Sequence, residues 1–281
     1  MIITNRFGLP SAIVAALQND NYDKGHAHFS ATELLDPPRL AALKEKHADA
    51  LETDASEMIY ALLGKLMHGL LESAEGEQDR VENRLFAEID ETQISGQFDR
   101  VSIRGATLQD YKFMSIWEQV YGLKPEKIAQ LNIYNWLAVK NGYHNIKNLE
   151  IVAIFRDWSK RQAKIGKHPP AQVQRIKVEM WPIEKTEQFI LERIRLHRAA
   201  RAGQLPECSN EERWAKPDVW AVMKPGRKSA LKLLNEKPDG ATIASYGGTH
   251  AEHRPAESIR CEDYCIVSEF CEQFKKSKAE V

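Results

Sequence analysis

Two acids and an amine lie close together in the stretch Gly96-Gln97-Phe98-Asp99 and, ten residues on, Asp110-Tyr111-Lys112. Side chains alternate along a strand, so Asp110 and Lys112 share a face while Tyr111 points away. If Asp99 stands on a neighbouring strand across a short turn, both carboxylates and the ammonium converge. Two carboxylates form a hard, oxygen-rich site suited to Mg²⁺ or Mn²⁺. A lysine beside them steadies an attacking water or a phosphate. That is the chemistry of phosphodiester hydrolysis. Taken singly, Asp-x-Lys is also an ordinary solvated ion pair.

Other residues could serve the same site. Gly64, His68 and Glu72 recur at every fourth position, which places them on one helical face. His68 is then a candidate metal ligand approaching from the side opposite the strands. The alternative is a histidine satisfied at the edge of a leucine-rich helix, whose Met and Leu spacing reads as core. Gln130 and Tyr134, also four apart, share a face. They offer an amide and a phenol to a phosphate, a base edge or the lysine, or they are plain surface. Arg100 and Arg104 flank the acids. Residues 156–168 carry Arg156, Lys160, Arg161, Lys164, Lys167 and His168 around Trp158, against the single acid Asp157. Such a loop can follow a nucleic-acid backbone and stack on a base, or be a solvated connection. His26, His28, His250 and His253 lack carboxylate support and read as loop residues.

The elements that must position these groups are legible from periodicity. Ser30 to Glu33 has capping-box form ahead of a helix over 34–46, with Pro37-Pro38 at a start or bend. The pattern predicts a helix over 56–74, then strands over 84–89, 94–103 and 107–114 forming a meander. A helix begins at Lys124-Pro125 and stops at Asn141-Gly142. Strands over 149–155 and 173–180 and a helix over 184–202 complete the series. This order predicts an α/β fold, a mixed central sheet flanked by helices. The expected domains are a core over 1–203, with an N-terminal helical segment, and a small cysteine-bearing extension over 204–281 packed on it.

Composition narrows the field. The chain has 281 residues, 39 Lys plus Arg against 40 Asp plus Glu, and a net charge of −1, so it is not a globally basic nucleic-acid binder. No apolar run is long enough for a membrane-spanning helix. The N-terminal stretch does not read as a secretory signal, which predicts the cell interior. There, clustered cysteines more often bind metal than form disulfides. All four, Cys208, Cys261, Cys265 and Cys271, lie in the last part of the chain. No Walker A motif is present, so a motor would have to come from a partner such as a helicase.

The ordered motifs Gly64-x-x-x-His68-x-x-x-Glu72, Gly96-x-x-Asp99, Asp110-x-Lys112 and Gln130-x-x-x-Tyr134 resemble the RecB-like branch of the PD-(D/E)XK nuclease superfamily, over about residues 30–200. The resemblance implies a restriction-endonuclease-like core and a metal-dependent DNA exonuclease acting in recombination, repair or phage DNA processing. A structure-specific or restriction-type endonuclease and a non-catalytic DNA-binding subunit are its alternatives. It implies His68, Asp99, Asp110 and the Tyr111 backbone carbonyl as metal ligands. Lys112 would be the catalytic lysine, with Gln130 and Tyr134 supporting near DNA. Arg100, Lys160 and Arg161 are the expected DNA contacts. Position 110 is Asp where many relatives carry Glu.

Cys261-x3-Cys265-x5-Cys271 resembles the C-terminal cysteine trio of the iron–sulfur members, the AddB-type helicase-nucleases and the CRISPR-adaptation exonucleases. Those carry their remaining cysteine far upstream. Here the corresponding residues are Asp36-Pro37-Pro38-Arg39, so Cys208 alone is left to complete a set of four. The implied cofactor is a [4Fe–4S] cluster. Zinc, or four reduced thiols with no cofactor, are the other readings. Stand-alone enzymes of this type resemble phage and mobile-element proteins acting in the host cytoplasm. Their implied partners are DNA, a helicase or annealing protein, or further copies of the chain.

Overall fold

The computed structural model describes residues 2–19, 23–73, 79–81, 84–102, 104 and 106–279. The fold is α/β, in two compact units made of residues 1–38 with 52–203 and residues 39–51 with 204–281. The second unit is therefore not the contiguous extension expected from the sequence. Residues 39–51 join it because Leu40, Leu43 and Leu51 bury against Val267, Cys271 and Phe274. Arg39 also donates from Nε and Nη2 to the carbonyls of Pro206 and Leu205, each at 2.9 Å.

The chain begins with β1 (Ile2–Thr4), α1 (Ser11–Gln18), β2 (Phe29–Ser30) and α2 (Ala31–Leu35). After α3 (Pro38–Lys46) in the second unit, the first resumes with β3 (Glu52–Asp54), a 3₁₀ turn and α4 (Ile59–Glu72). There follow β4 (Asp79–Val81), β5 (Arg84–Ile89), β6 (Thr92–Gln97), β7 (Arg100–Ser102), β8 (Thr107–Met114) and α5 (Trp117–Val120). It closes with α6 (Pro125–Lys140), β9 (Asn148–Phe155), α7 (Lys160–Lys164), β10 (Val173–Val178) and α8 (Ile183–Arg201).

Local chemistry sets the boundaries. Ser30 and Glu33 form a reciprocal capping box at the start of α2. The helix expected over 34–46 is instead two helices. Asp36 is extended ahead of Pro37, as a residue before proline prefers, so α2 stops and α3 restarts at Pro38. Pro125 occupies the first turn of α6.

Three sheets are described in the first unit, the smallest a parallel pairing of β1 with β3. Of the other two, one has the order β2-β6-β5 and the other β10-β9-β8-β7-β4. The β5–β6 hairpin turns through Asp90 and Glu91, both with positive φ (47° and 54°), the geometry that matches strand twist in a two-residue loop. In the larger sheet β8 and β9 run parallel, joined through α6, and the remaining pairs are antiparallel. The expected three-strand meander does not form. The segment over 94–103 breaks at Phe98-Asp99, so β6 and β7 belong to different sheets. Phe98 is buried at that break, edge-on to Tyr143, and its burial overrides straight continuation of the strand.

Helix α6 is buried on all sides from Ala129 to Ala138 and packs against β5, β6, β8, β9, α2 and α8. A helix buried all round sits in the middle of a core, and its buried amides Gln130 and Asn132 find partners inside, at the Tyr134 hydroxyl and the Ile128 and Glu179 carbonyls. Helix α4 is the reverse and corrects the expectation from its periodicity. It packs against β8, yet Tyr60, Leu63, Leu66 and Leu70 are exposed.

His197 on α8 is buried, 3.4 Å from the Leu34 carbonyl and tilted against Phe29. Desolvation, with help from Arg193, holds its pKa down to about 4. An unfolded imidazole titrates near about 6.5. The unfolded chain therefore takes the extra proton between these values. The stability that depends on neutral His197 is fully present above about pH 6.5 and is lost as pH falls toward 4. His197→Gln keeps a donor for the carbonyl and removes the titration. It is expected to remove about 3 kcal/mol of the acid destabilisation between pH 7 and pH 4, read by urea unfolding at each pH. Identical pH slopes in parent and variant would refute this.

The second unit contains α9 (Asn210–Arg213), β11 (Ala215–Lys216), β12 (Val219–Met223), β13 (Lys232–Leu234) and α10 (Gly240–Ser245). It ends with β14 (His250–Arg254), β15 (Glu257–Ser258), two short turns and α11 (Glu272–Ala279). Its sheets are β13-β12-β14 and β11-β15. Among the described residues no helix is long and apolar enough to cross a membrane.

Candidate active site

The site forms where β6 gives way to β7. Arg100 on β7 pairs with Gln109 on β8, so the bend at Asp99 lies beside Asp110. Asp99 Oδ2 accepts the Tyr111 N–H at 2.5 Å, and Oδ1 is 3.2 Å from His68 Nδ1 on α4. One β8 face carries Asp110 and Lys112 together, with Nζ 2.8 Å from Oδ2. The alternation of a strand is responsible. His68, Asp99, Asp110 and Lys112 thus meet as two linked pairs.

The electrostatics are those of a buried acid cluster. The Asp110 carboxyl is 2% exposed, and its Oδ2 faces the Lys112 ammonium; among the described residues it meets no other hydrogen-bond donor. Burial pushes its pKa up, the Lys112 charge opposes this, and Asp99 adds to the rise. Lys112 loses solvation too, but Asp110 outweighs that loss and holds it above the ordinary lysine range. His68 is raised, first by its hydrogen bond to Asp99 and against its own desolvation.

A cleft of about 260 Å³ opens beside the pair, lined by Ser30, Thr32, His68, Arg84, Gln97, Asp99 and Tyr134. Gly96 makes it possible. A Cβ there would lie 2.5 Å from Leu137 Cδ1 and 3.0 Å from Tyr134 Cε1, so only glycine lets α6 press this close to β6. Gln130 Nε2 donates to the Tyr134 hydroxyl at 2.8 Å, and both side chains are buried. Tyr134 therefore lines the cleft and Gln130 positions it.

Arg84 is the cleft residue that the motifs did not reveal. It faces Gln97 across the β5–β6 hairpin and donates to Gln97 Oε1 at 3.1 Å and Ser95 Oγ at 3.3 Å. Its only sequence signal is its register opposite Gln97. Arg100 is half-buried on β7 and does not line the cleft. Lys160 and Arg161 are exposed on α7. Trp158 cannot be the stacking residue expected of it. It is half-buried against the core, with Nε1 donating to the Pro169 carbonyl at 2.9 Å. Of the loop histidines, His26 stacks on Phe86, and His28 Nδ1 accepts the Gln93 N–H. Contrary to expectation, His253 does have carboxylate support, from Asp218 at 2.9 Å. Gly105 and the side chain of Glu72 lie outside the described residues.

In the second unit Cys208, Cys261, Cys265 and Cys271 all line one small pocket, with Arg39, Val267 and Phe274 around them. None is in a disulfide. The Gln273 side chain fastens Cys208 to the trio, accepting its N–H at 2.8 Å and donating to its carbonyl at 2.9 Å. Burial pushes the Cys208 thiol up to about 12, with Glu212, Cys271 and Cys261 adding to it. Cys261 and Cys265 are also raised, first by burial. Among the described residues, no three His, Cys, Asp or Glu are gathered tightly enough to make a metal-ion site.

No protein-family model matches the chain, and no curated protein matches it. A solved structure described as "Crystal structure of SSO0001" is similar, with a TM-score of 0.52 over 93% of this chain and 94% of that one, at 16% identity. The likeness is one of fold.

Proposed function

We propose that the first unit is a metal-dependent nuclease that hydrolyses DNA phosphodiester bonds, acting on ends. The observation that supports this best is the buried carboxylate oxygen of Asp110. An acid held in low dielectric with its pKa raised, and faced by a single ammonium, is costly to the fold and characteristic of functional sites. By residue type the donor set suits a hard divalent cation, although the side chains are not gathered around a single point as they stand. Two carboxylates and an imidazole suit Mg²⁺ or Mn²⁺, and His68, Asp99, Asp110 and the Tyr111 carbonyl would hold it. When bound, the ion supplies Lewis acidity toward the phosphate. The residues of the chain do the rest. Lys112 orients the attacking water and offsets charge developing on the phosphate. Asp99 fixes the His68 ring through the 3.2 Å contact and is itself fixed by the Tyr111 amide. Tyr134, held by Gln130, presents its hydroxyl to the cleft.

The second unit, in this reading, holds a [4Fe–4S] cluster through its four cysteines. The donor set fits by number and type, since four thiols line one pocket. In this reading the protein works in the cell interior, with a helicase or annealing protein as a suitable partner.

The test uses protein purified without oxygen. Absorbance near about 400 nm reports the cluster. End-labelled linear DNA and closed circular DNA are then incubated with Mn²⁺ or with EDTA. Loss of linear DNA alone, and only with Mn²⁺, is expected. Cutting of circles would replace the exonuclease reading with an endonuclease. Binding without cutting under any divalent metal would make the chain a non-catalytic subunit.

A further inference from the structure

We infer that Arg213 is a positioning residue of the cysteine centre, giving its Nε–H to the sulfur of Cys261 and its charge to the cluster bound there, and so raising the reduction potential of that cluster. The inference rests on the cluster reading above and adds to it the means by which this chain tunes the centre.

Unfavourable local features gather around Cys261. It sits in the turn Arg260–Tyr264, which is π-helical. Such turns are rare and occur mostly at functional sites. Helix α9 packs against this turn and ends at Trp214, whose φ of 51° and ψ of 45° are left-handed. A bulky residue takes that conformation at a cost, and it persists only where its surroundings impose it. They do so here. The Trp214 ring leans on Tyr264 with centroids 5.3 Å apart, and the Arg260 guanidinium lies 5.6 Å from its centre. Arg260 Nη1 also donates to the Glu212 carbonyl at 3.3 Å. Held in this way, the end of α9 delivers Arg213 to the Cys261 turn.

Arg213 is fixed but not satisfied. Its Nη1 donates to Ser258 Oγ at 3.2 Å and its Nη2 to Asn210 Oδ1 at 2.6 Å. Ser258 is itself held by the pairing of β15 with β11. Nε is left buried, and among the described residues it meets no acceptor. A buried donor without a partner is destabilising and calls for an explanation. Arg39, on the wall of the same pocket, raises no such question, because its Nε–H goes to the Pro206 carbonyl. Among the described residues no other cation has a buried N–H in that state.

Chemistry identifies the acceptor. The Cys261 thiol is pushed up by burial, then by Cys265 and Cys271, while Arg213 and Arg260 pull it back. Arg213 is thus close enough to act on this sulfur. A protonated thiol is a weak acceptor, whereas a thiolate accepts with the strength of a charge. Cys261 gives up its proton when the cluster binds, and the orphaned N–H then gains a partner. An electron added to the cluster increases the negative charge that the guanidinium faces. Hydrogen bonds to the sulfurs and a nearby positive charge both favour that reduced state.

The test uses the full chain purified without oxygen and reloaded with ferrous iron and sulfide. Visible absorbance gives the cluster content, and its bleaching against applied potential gives the midpoint. Arg213→Gln removes the charge and the Nε–H but keeps an amide for Ser258 or Asn210. It is expected to hold the colour of the parent and to disfavour reduction by about tenfold, a midpoint about 59 mV lower for a one-electron couple. Arg213→Lys keeps the charge but not the Nε–H, so a loss of about threefold is expected of it. Its midpoint decides the matter if the glutamine variant does not fold. The parent's midpoint in a coloured variant of either kind would overturn the inference. Loss of colour in both would do the same, by making Arg213 a part of the frame and nothing more. A parent that stayed colourless after loading would sink the cluster reading and this inference with it. A coloured parent with unmoved variants would sink this inference alone.

Discussion

For the proposed nuclease, Lys112→Ala is expected to slow DNA hydrolysis by about 10²–10³-fold while leaving DNA affinity within about threefold of the parent. Removing one preorganised charged donor from a water-poor site has effects of that size. Affinity survives because one ammonium is a minor share of the charge along a DNA track. The Lys112 ammonium lies 2.8 Å from Asp110, and that neighbour keeps it protonated throughout the neutral range. Its loss has a second consequence. The Lys112 charge lowers the Asp110 pKa against the push of burial, so the alanine variant should protonate Asp110 at higher pH than the parent. The acid limb of the activity profile should then move toward neutral pH, and more Mn²⁺ should be needed to restore the remaining rate. Lys112→Arg should not rescue, because a planar fork cannot replace a compact ammonium. Steady-state rates at several pH values and Mn²⁺ concentrations separate the two effects. An alanine variant that cut DNA at the parent rate would remove Lys112 from the chemistry and the site reading with it.

How much of this was visible in the chain depends on the range of the physics. The pairing of Asp110 with Lys112 follows from the two-residue repeat of a strand, which needs nothing beyond three residues. Gln130 and Tyr134 meet because a helix returns after four. The capping box at Ser30 is equally local. Tertiary facts were not legible in the same way. The motifs could not reveal Arg84, because it reaches the cleft only through the register of the β5–β6 hairpin. The break at Phe98-Asp99, which puts Asp99 between two sheets, depends on where Phe98 finds its pocket. The apolar stripe of α4 had the right spacing for a core helix, but spacing does not say what covers a stripe, and Tyr60, Leu63, Leu66 and Leu70 remain exposed. The assignment of residues 39–51 to the second unit rests on Arg39 finding the carbonyls of Leu205 and Pro206, a contact across most of the chain. In each miss the local pattern was present and a distant partner decided its use.

Cys265→Ser is expected to abolish visible absorbance and to destabilise the second unit by on the order of 5 kcal/mol or more. The argument starts from the size of its core. Leu40, Leu43, Leu51, Val267, Cys271 and Phe274 form a buried cluster in it, drawn from two stretches separated in the chain by residues 52–203. A core that small, closing so long a loop, needs a staple. The four cysteines are the groups placed to provide it, since all of them line the same pocket and Gln273 ties Cys208 to the rest. Burial pushes the Cys208, Cys261 and Cys265 thiols up, which keeps these three protonated when no cation is among them. Binding the proposed cluster has to cover the cost of deprotonating these thiols, and what remains of its binding energy holds the unit closed. Calorimetry should show one transition lost or moved sharply down in the variant, while the transition of the first unit keeps its midpoint. Oxidative loss of the cluster from the parent should give the same trace. A serine variant that kept its colour and both transitions would mean that the thiols only fill space, and its stability would then differ from the parent by about 1 kcal/mol.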